Sequence, residues 1–154
     1  MTLAILIPGG EDLRLNHLML DVNGTLTNRG MLLEGVTAAV AKLLPSLDIH
    51  LVSADTFGTL DSIADLLRAT GVRAGSGDDK LRKIDELGPR QTAVIGNGAN
   101  DVLVLRAAAL GIVVIGPEGA SSQAIRAADV VCLSILDALN LLLEPRALVA
   151  TLRR

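Results

Sequence analysis

The sequence predicts one three-layer α/β/α domain, Rossmann-like, built around a central and mainly parallel sheet. Short aliphatic runs alternate with longer amphipathic stretches, the pattern of parallel strands joined by crossover helices. The chain has 154 residues, a length that suits a single domain. No repeat, low-complexity tract or linker divides it, so one domain over residues 1–154 is expected.

Taken in order, LAILIP (3–8) and LRLNHLMLD (13–21) read as strands joined by the turn GGED, an N-terminal β-hairpin over about 3–21. HLML is the part expected to lie buried at the sheet centre. A short flap is expected over about 25–35, around TNRGMLLEG, with Arg29 at its tip. VTAAVAKLL (36–44) has a helical pattern and stops before Pro45. DIHLVSA (48–54) is the next strand. From about Gly58 to Thr70, Leu60, Ile63, Ala64, Leu66 and Leu67 recur at helical spacing until Gly71. VRA (72–74) reads as a short strand, and DDKLRKIDEL (78–87) as a helix with a charged face, ended by Gly88-Pro89. QTAVIG (91–96), GIVVIG (111–116) and DVVCL (129–133) complete the strands. Helices are expected over NDVLVLRAAAL (100–110), SSQAIRAA (121–128) and SILDALNLLL (134–143), with PRALVATL as a last short helix.

Composition narrows the function classes. Half of the residues are apolar, yet Phe57 is the only aromatic, so the core must be Leu, Val, Ile and Ala. Fourteen basic against seventeen acidic residues give a net charge of -3, which argues against a large nucleic-acid footprint. Cys132 stands alone, so no internal disulfide is available, which suits a reducing compartment. The N-terminal apolar run is too short for a signal peptide or membrane span, and no later run approaches twenty residues. A soluble, cytoplasmic protein with no membrane or nucleic-acid partner is the expectation.

In open α/β sheets, ligands bind outside the carboxyl ends of the strands. Those ends carry Asp21, then Ser53 with Asp55, then Gly96-Asn97-Gly98-Ala99-Asn100-Asp101. Lys80 lies on the helix leading into the third of these strands. A carboxylate can attack phosphorus and carry the phosphoryl group covalently. Two anions repel, so positive charge is needed; Mg2+ can supply it, held by one or two carboxylates, backbone oxygens and water. Asp21 and Asp101 are the available carboxylates. Gly24 lets the backbone approach a phosphate, turn amides can donate to it, Ser53 can add a bond, and Lys80 can act as a point cation.

Other residues read as structural. His17 starts a strand, His50 lies within one, and neither has a metal-spaced partner. Cys132 reads as a small core residue, and Asp55 as orienting the loop near Lys80. Asp129 and Asp137 fall outside the strand-end cluster. GNGAND has Asp101 where a dinucleotide-binding G-x-G-x-x-G loop needs its last small residue, and it does not follow the first strand.

DVNGTLT (21–27), LVSADT, GDDKLRKIDEL and VIGNGANDVLVL together resemble the four ordered motifs of the haloacid dehalogenase-like (HAD) superfamily. The nearest likeness is to the phosphorylation domain of P-type ATPases in a soluble, stand-alone form. Ser53-Ala54-Asp55 resembles that family's Thr-Gly-Asp segment, and Lys80 with Ile84 and Leu87 its Lys-x-x-x-Val-x-x-Leu spacing. Lys83 fits that register less well. AADVV (127–131) looks like its Ala-Ala-Asp-Ile-Val strand entry. The resemblance spans about residues 17 to 142. It implies Asp21 as nucleophile and metal ligand, and the Asn23 carbonyl as second protein ligand of Mg2+. It further implies a phosphate cradle of Asn23, Gly24, Ser53, Ala54 and Lys80, and a metal site completed by position 97 and Asp101.

Two positions depart from the pattern. The superfamily's phosphatases carry Asp, acting as general acid and then base, where Asn23 stands; P-type ATPases have Thr there. A positioned acid–base group is worth roughly 10²–10⁴-fold, so turnover is expected to be slow while phosphorylation survives. Asn97 replaces a carboxylate metal ligand, so two carboxylates face Mg2+ in place of three and its affinity should fall. Each Asn precedes a Gly, the dipeptide most prone to deamidation, by which Asp could arise in an aged preparation. The chain leaves no room for an inserted cap domain between Asp21 and Ser53 or between Ser53 and Lys80. The resulting expectation is a capless Mg2+-dependent phosphohydrolase or phosphotransferase, slow, acting on a small phosphorylated metabolite or a phosphoprotein. The flap, with Met31-Leu32-Leu33 exposed, is a candidate surface for homo-oligomers. The competing expectation is a non-catalytic module that binds phosphate or a partner.

Overall fold

A computed structural model describes residues 1–154. Its sheet has six strands, all parallel: β3 (His17–Asp21), β6 (Asp48–Ser53), β7 (Thr70–Arg73), β8 (Thr92–Gly96), β9 (Leu110–Val114) and β10 (Val130–Cys132). Their spatial order is β10-β9-β8-β3-β6-β7. The chain starts in the middle with β3, winds outward to β7, then crosses back to β8 and winds the other way. The direction reverses between β3 and β8, and a crevice opens at such a switch point.

Strand alternation sorts the two faces. Leu18 and Leu20 of β3, Ile49 and Leu51 of β6, and Ala93 and Ile95 of β8 enter a core of 31 buried residues. That core is covered by α1 (Val36–Leu43), α2 (Leu60–Leu67), α6 (Ile135–Leu143) and α7 (Pro145–Leu152). Met19, Val52 and Val94 point the other way, onto α3 (Gly77–Leu87), α4 (Val102–Ala107) and α5 (Ser122–Ala127). Burying both faces is why these strands read as continuous aliphatic runs. No aromatic takes part; Phe57 is half exposed and lies against Gly30.

The long stretch 13–21 is two strands. β1 (Leu3–Ile5) and β2 (Leu13–Leu15) form a separate antiparallel ribbon, and β3 begins after Asn16. The Asn16 backbone explains the break: its N–H donates to Gln91 O, and its carbonyl accepts from the Asp48 N–H. Its hydrogen bonds have already moved to the neighbours that flank β3. The stretch 100–110 also divides, into a 3-10 turn at Ala99–Asp101 and the short α4. β4 (Thr27–Asn28) and β5 (Met31–Leu32) make a small hairpin over the crevice side of the chain, with Arg29 and Gly30 both left-handed at its tip. Only Met31 of the Met31-Leu32-Leu33 run is exposed; Leu32 and Leu33 are partly buried against the larger core. No helix is long and apolar enough to cross a membrane.

Candidate active site

Asp21 is the last residue of β3, and β8 ends at Gly96, one strand away across the switch point. The loop after β8 turns at once into the 3-10 turn that carries Asp101. Asp101 Oδ2 accepts the N–H groups of Asn97 (3.1 Å) and Gly98 (3.0 Å), fixing the carboxylate over the loop. Its other oxygen faces Lys80.

Lys80 joins the two carboxylates. It enters from α3, whose first turn is capped by Ser76 Oγ accepting from the Asp79 N–H. Lys80 Nζ donates to Asp21 Oδ1 at 2.9 Å and to Asp101 Oδ1 at 2.7 Å. The lysine side chain is 1% exposed and those of Asp21 and Asp101 11% and 2%. Burial works to lower the Lys80 pKa, but the attraction of Asp21 and Asp101 outweighs it and the net direction is up. Asp21 moves the other way for a carboxylate: burial, then repulsion from Asp101, raises its pKa to about 6 against the pull of Lys80. Two carboxylates and one ammonium leave the triad one negative charge in excess, in a setting that disfavours it.

Thr25, fully buried, is a site residue that the sequence reading did not single out. Its hydroxyl lies 3.2 Å from Asp21 Oδ2 and 3.4 Å from Asn97 Oδ1, so one side chain links the first and last motifs. The available signal was its place two residues beyond Asn23, inside the same turn. Lys83, the weaker lysine candidate, is turned to Glu86 at 3.4 Å and takes no part.

The groups expected to cradle a phosphate differ in whether they have a hydrogen bond to give. The N–H groups of Asn23 and Ala54 donate to no protein acceptor, and neither does the Ser53 hydroxyl, which accepts from the Asp55 N–H at 2.9 Å. These are open donors at adjacent strand ends. The Gly24 N–H, by contrast, is spent on Thr27 O at 3.1 Å. Gly24 serves through its left-handed backbone (φ 75°) and its missing side chain. Asp55 holds its own loop: its carboxylate accepts from the Leu60 N–H at 3.0 Å and pairs with Arg73 at 3.2 Å. Both glycine nitrogens that would attack the asparagine side chains in deamidation are held in hydrogen bonds, Gly24 to Thr27 and Gly98 to Asp101. That opposes the reaction in the folded chain.

The donor set for a cation is Asp21 Oδ2, the Asn23 carbonyl (which accepts no hydrogen bond), the Asn97 amide oxygen, and Asp101 behind Lys80. No cluster of three acidic, His or Cys side chains suited to a metal ion is present. Oxygen donors with one direct carboxylate fit a hard cation that keeps several of its waters, as Mg2+ does. The histidines lie at the opposite end of the sheet. His50 Nε2 and His17 Nδ1 meet at 3.3 Å, and burial, then His17, lowers the His50 pKa to about 4. The two were read separately from sequence, and the parallel pairing of β3 with β6 is what brings them together. Two surface clefts flank the β1–β2 ribbon and β10, and hold none of the site residues.

No family model matches the chain. An uncharacterized protein of Methanocaldococcus jannaschii is 49% identical over 78 residues, 48% of this chain and 84% of that protein. Among solved structures, a protein of Streptomyces avermitilis described as a HAD family hydrolase superposes with TM-score 0.63 at 20% identity, over 82% of this chain and 79% of that one. The 3-deoxy-D-manno-octulosonate 8-phosphate phosphatase of Moraxella catarrhalis, in complex with magnesium, phosphate and KDO, gives TM-score 0.71 at 20% identity, over 89% and 92%. The catalytic domain of the CPx-ATPase CopB-B gives 0.60 at 20% identity, over 77% of this chain and 46% of that one. The fold is therefore shared with HAD phosphatases and with the catalytic domain of a CPx-ATPase.

Proposed function

Because this chain belongs to one family with the Methanocaldococcus protein and is built on the HAD-like fold, we propose that it transfers phosphoryl groups through Asp21, as a capless phosphohydrolase or phosphotransferase. The observation that carries the reading is the buried Lys80 ammonium bonded to both Asp21 and Asp101 at the switch point. Such a triad is costly to bury for stability alone. Perturbed, convergent charges at strand ends are what a reactive site requires.

In this reading one oxygen of the Asp21 carboxylate attacks phosphorus, forming an acyl phosphate as the P–O bond to the leaving group breaks. The N–H groups of Asn23 and Ala54, the Ser53 hydroxyl and Lys80 Nζ receive the phosphoryl oxygens. Thr25 orients the attacking carboxylate. Asp21, the Asn23 carbonyl and Asn97 would hold Mg2+, with Asp101 at one remove; when bound, that ion neutralises charge between nucleophile and phosphate. Hydrolysis of the acyl phosphate needs a proton carrier, and the Asn23 amide cannot be one. Phosphorylation is thus fast relative to dephosphorylation, and the substrates are phosphate monoesters or acyl phosphates of small metabolites or proteins. The test is intact mass after incubation with acetyl phosphate and Mg2+. A phosphoryl adduct that disappears in Asp21→Asn supports catalysis; no adduct, with no Mg2+ binding at millimolar concentration, points to a module that binds phosphate or a partner.

A further inference from the structure

One more carboxylate stands over the Asp21 turn without a partner. β9 ends at Val114, and Gly116–Gly119 form a tight turn in which the Gly119 N–H donates to Gly116 O at 2.9 Å. The turn is fastened to the site at three points. Asn97 Nδ2 donates to Gly119 O at 3.2 Å, and the Ser121 N–H donates to Asn97 O at 2.8 Å. Gly116 packs so closely on the Asn23–Gly24 segment that a Cβ on it would lie 2.8 Å from Gly24 O.

Glu118 lies in that turn. A Cβ on Gly24 would meet Glu118 Oε2 at 2.4 Å and Asn97 Nδ2 at 2.9 Å, so the two side chains flank the same point above Gly24. Glu118 forms no ion pair, and no hydrogen bond falls on its carboxylate. Resting on the phosphoryl-transfer reading above, we propose that Glu118 supplies to a divalent cation at Asp21 the negative charge that Asn97 lacks. Affinity for a hard cation follows the count of charged oxygen ligands. Asn97 offers a neutral oxygen, and a free carboxylate hangs on a turn that Asn97 itself anchors. The flexible glutamate side chain can act on the ion directly or through a bound water. Gly24 has no side chain to occupy the space the carboxylate crosses.

The test is Mn2+ binding by the full chain, followed by calorimetry, with catalysis left out of the readout. Glu118→Gln keeps the shape of an exposed side chain, and its melting temperature checks that the fold is intact. Affinity is expected to fall about tenfold in Glu118→Gln, the low end of what a supporting group around a metal is worth. Asn97→Asp added to Glu118→Gln should restore it, because the charge returns at the neighbouring position. Wild-type affinity in Glu118→Gln, with binding lost in Asp21→Asn, would overturn the role of Glu118 and leave the Asp21 site standing. No binding by the wild-type chain would overturn both.

Discussion

Asp21 is held ionised at neutral pH against its surroundings, and that has a cost that can be measured. Its folded pKa of about 6 lies above the ordinary 3.8, so the folded state binds the proton more tightly than the unfolded chain. The Asp21 contribution to stability is therefore fully present below pH 3.8 and is lost as pH rises through about 6. Asp21→Asn removes the excess charge and leaves Lys80 paired with Asp101. It should stabilise the protein by about 1–3 kcal/mol above pH 6.5, from about 1.4 kcal/mol per pKa unit less what Lys80 loses. The gain should shrink towards pH 4.5, and thermal melts of both proteins across that range give the comparison. Asn23→Asp restores a titratable group beside Asp21, and should shorten the life of the phosphorylated chain by roughly 10²–10⁴-fold. Following adduct decay by intact mass measures it; an unchanged lifetime would show that the missing proton carrier is not what slows turnover. Asp21, Ser53, Lys80 and Asp101 were legible because each is a reactive side chain at a strand end or on the helix feeding one. Thr25 and Glu118 were not: a threonine in a turn and a glutamate after Pro117 have no pattern of their own until the fold sets them over Gly24.

At the scale of elements, α3 exists to deliver Lys80. Its hydrophobic stripe is thin, with Ile84 the one fully buried apolar residue, so the N-terminal cap carries an unusual share of its placement. Ser76→Ala leaves the Asp79 N–H without its acceptor and should cost about 0.5–2 kcal/mol, read from a denaturant melt. Because Lys80 sits one residue past Asp79, the same change should also loosen its hold on Asp21. The helices and parallel strands were readable from their aliphatic periods and Gly or Pro stops. The break at Asn16 was not, since LRLNHLMLD alternates without interruption, and only the hydrogen bonds to Gln91 and Asp48 reassign its second half. α4 begins later than its apolar pattern because Asp101 is held in the 3-10 turn by the amides it accepts from. The His17–His50 contact was hidden for a similar reason: register between parallel strands is absent from either strand alone.

For the whole molecule, the reversal of strand order puts the strands of the first and last motifs side by side, with the strand of Ser53 next to them, and the expected strand-end groups fall at that one end. No cap domain covers it, and the β4–β5 hairpin and the Gly116–Gly119 turn border it. Met31 (76% exposed) and Phe57 (51%) stand on the hairpin and beside its tip, an apolar edge next to the entrance. Copies of the chain are expected to associate there. Light scattering should give a mass above the 16.0 kDa monomer, reduced by Met31→Gln; a wild-type monomer would contradict it. The central claim is chemical, however: Asp21 is a nucleophile whose neighbours are ready to receive a phosphoryl group. Beryllofluoride, which attaches to a carboxylate as phosphoryl does, tests it without asking for turnover. Titrated with Mg2+ and read by fluorine NMR, the wild-type chain should show bound fluoride resonances that vanish in Asp21→Asn and weaken in Lys80→Met. An unbound spectrum from the wild-type chain at millimolar Mg2+, or a bound one that survives Asp21→Asn, would contradict the account.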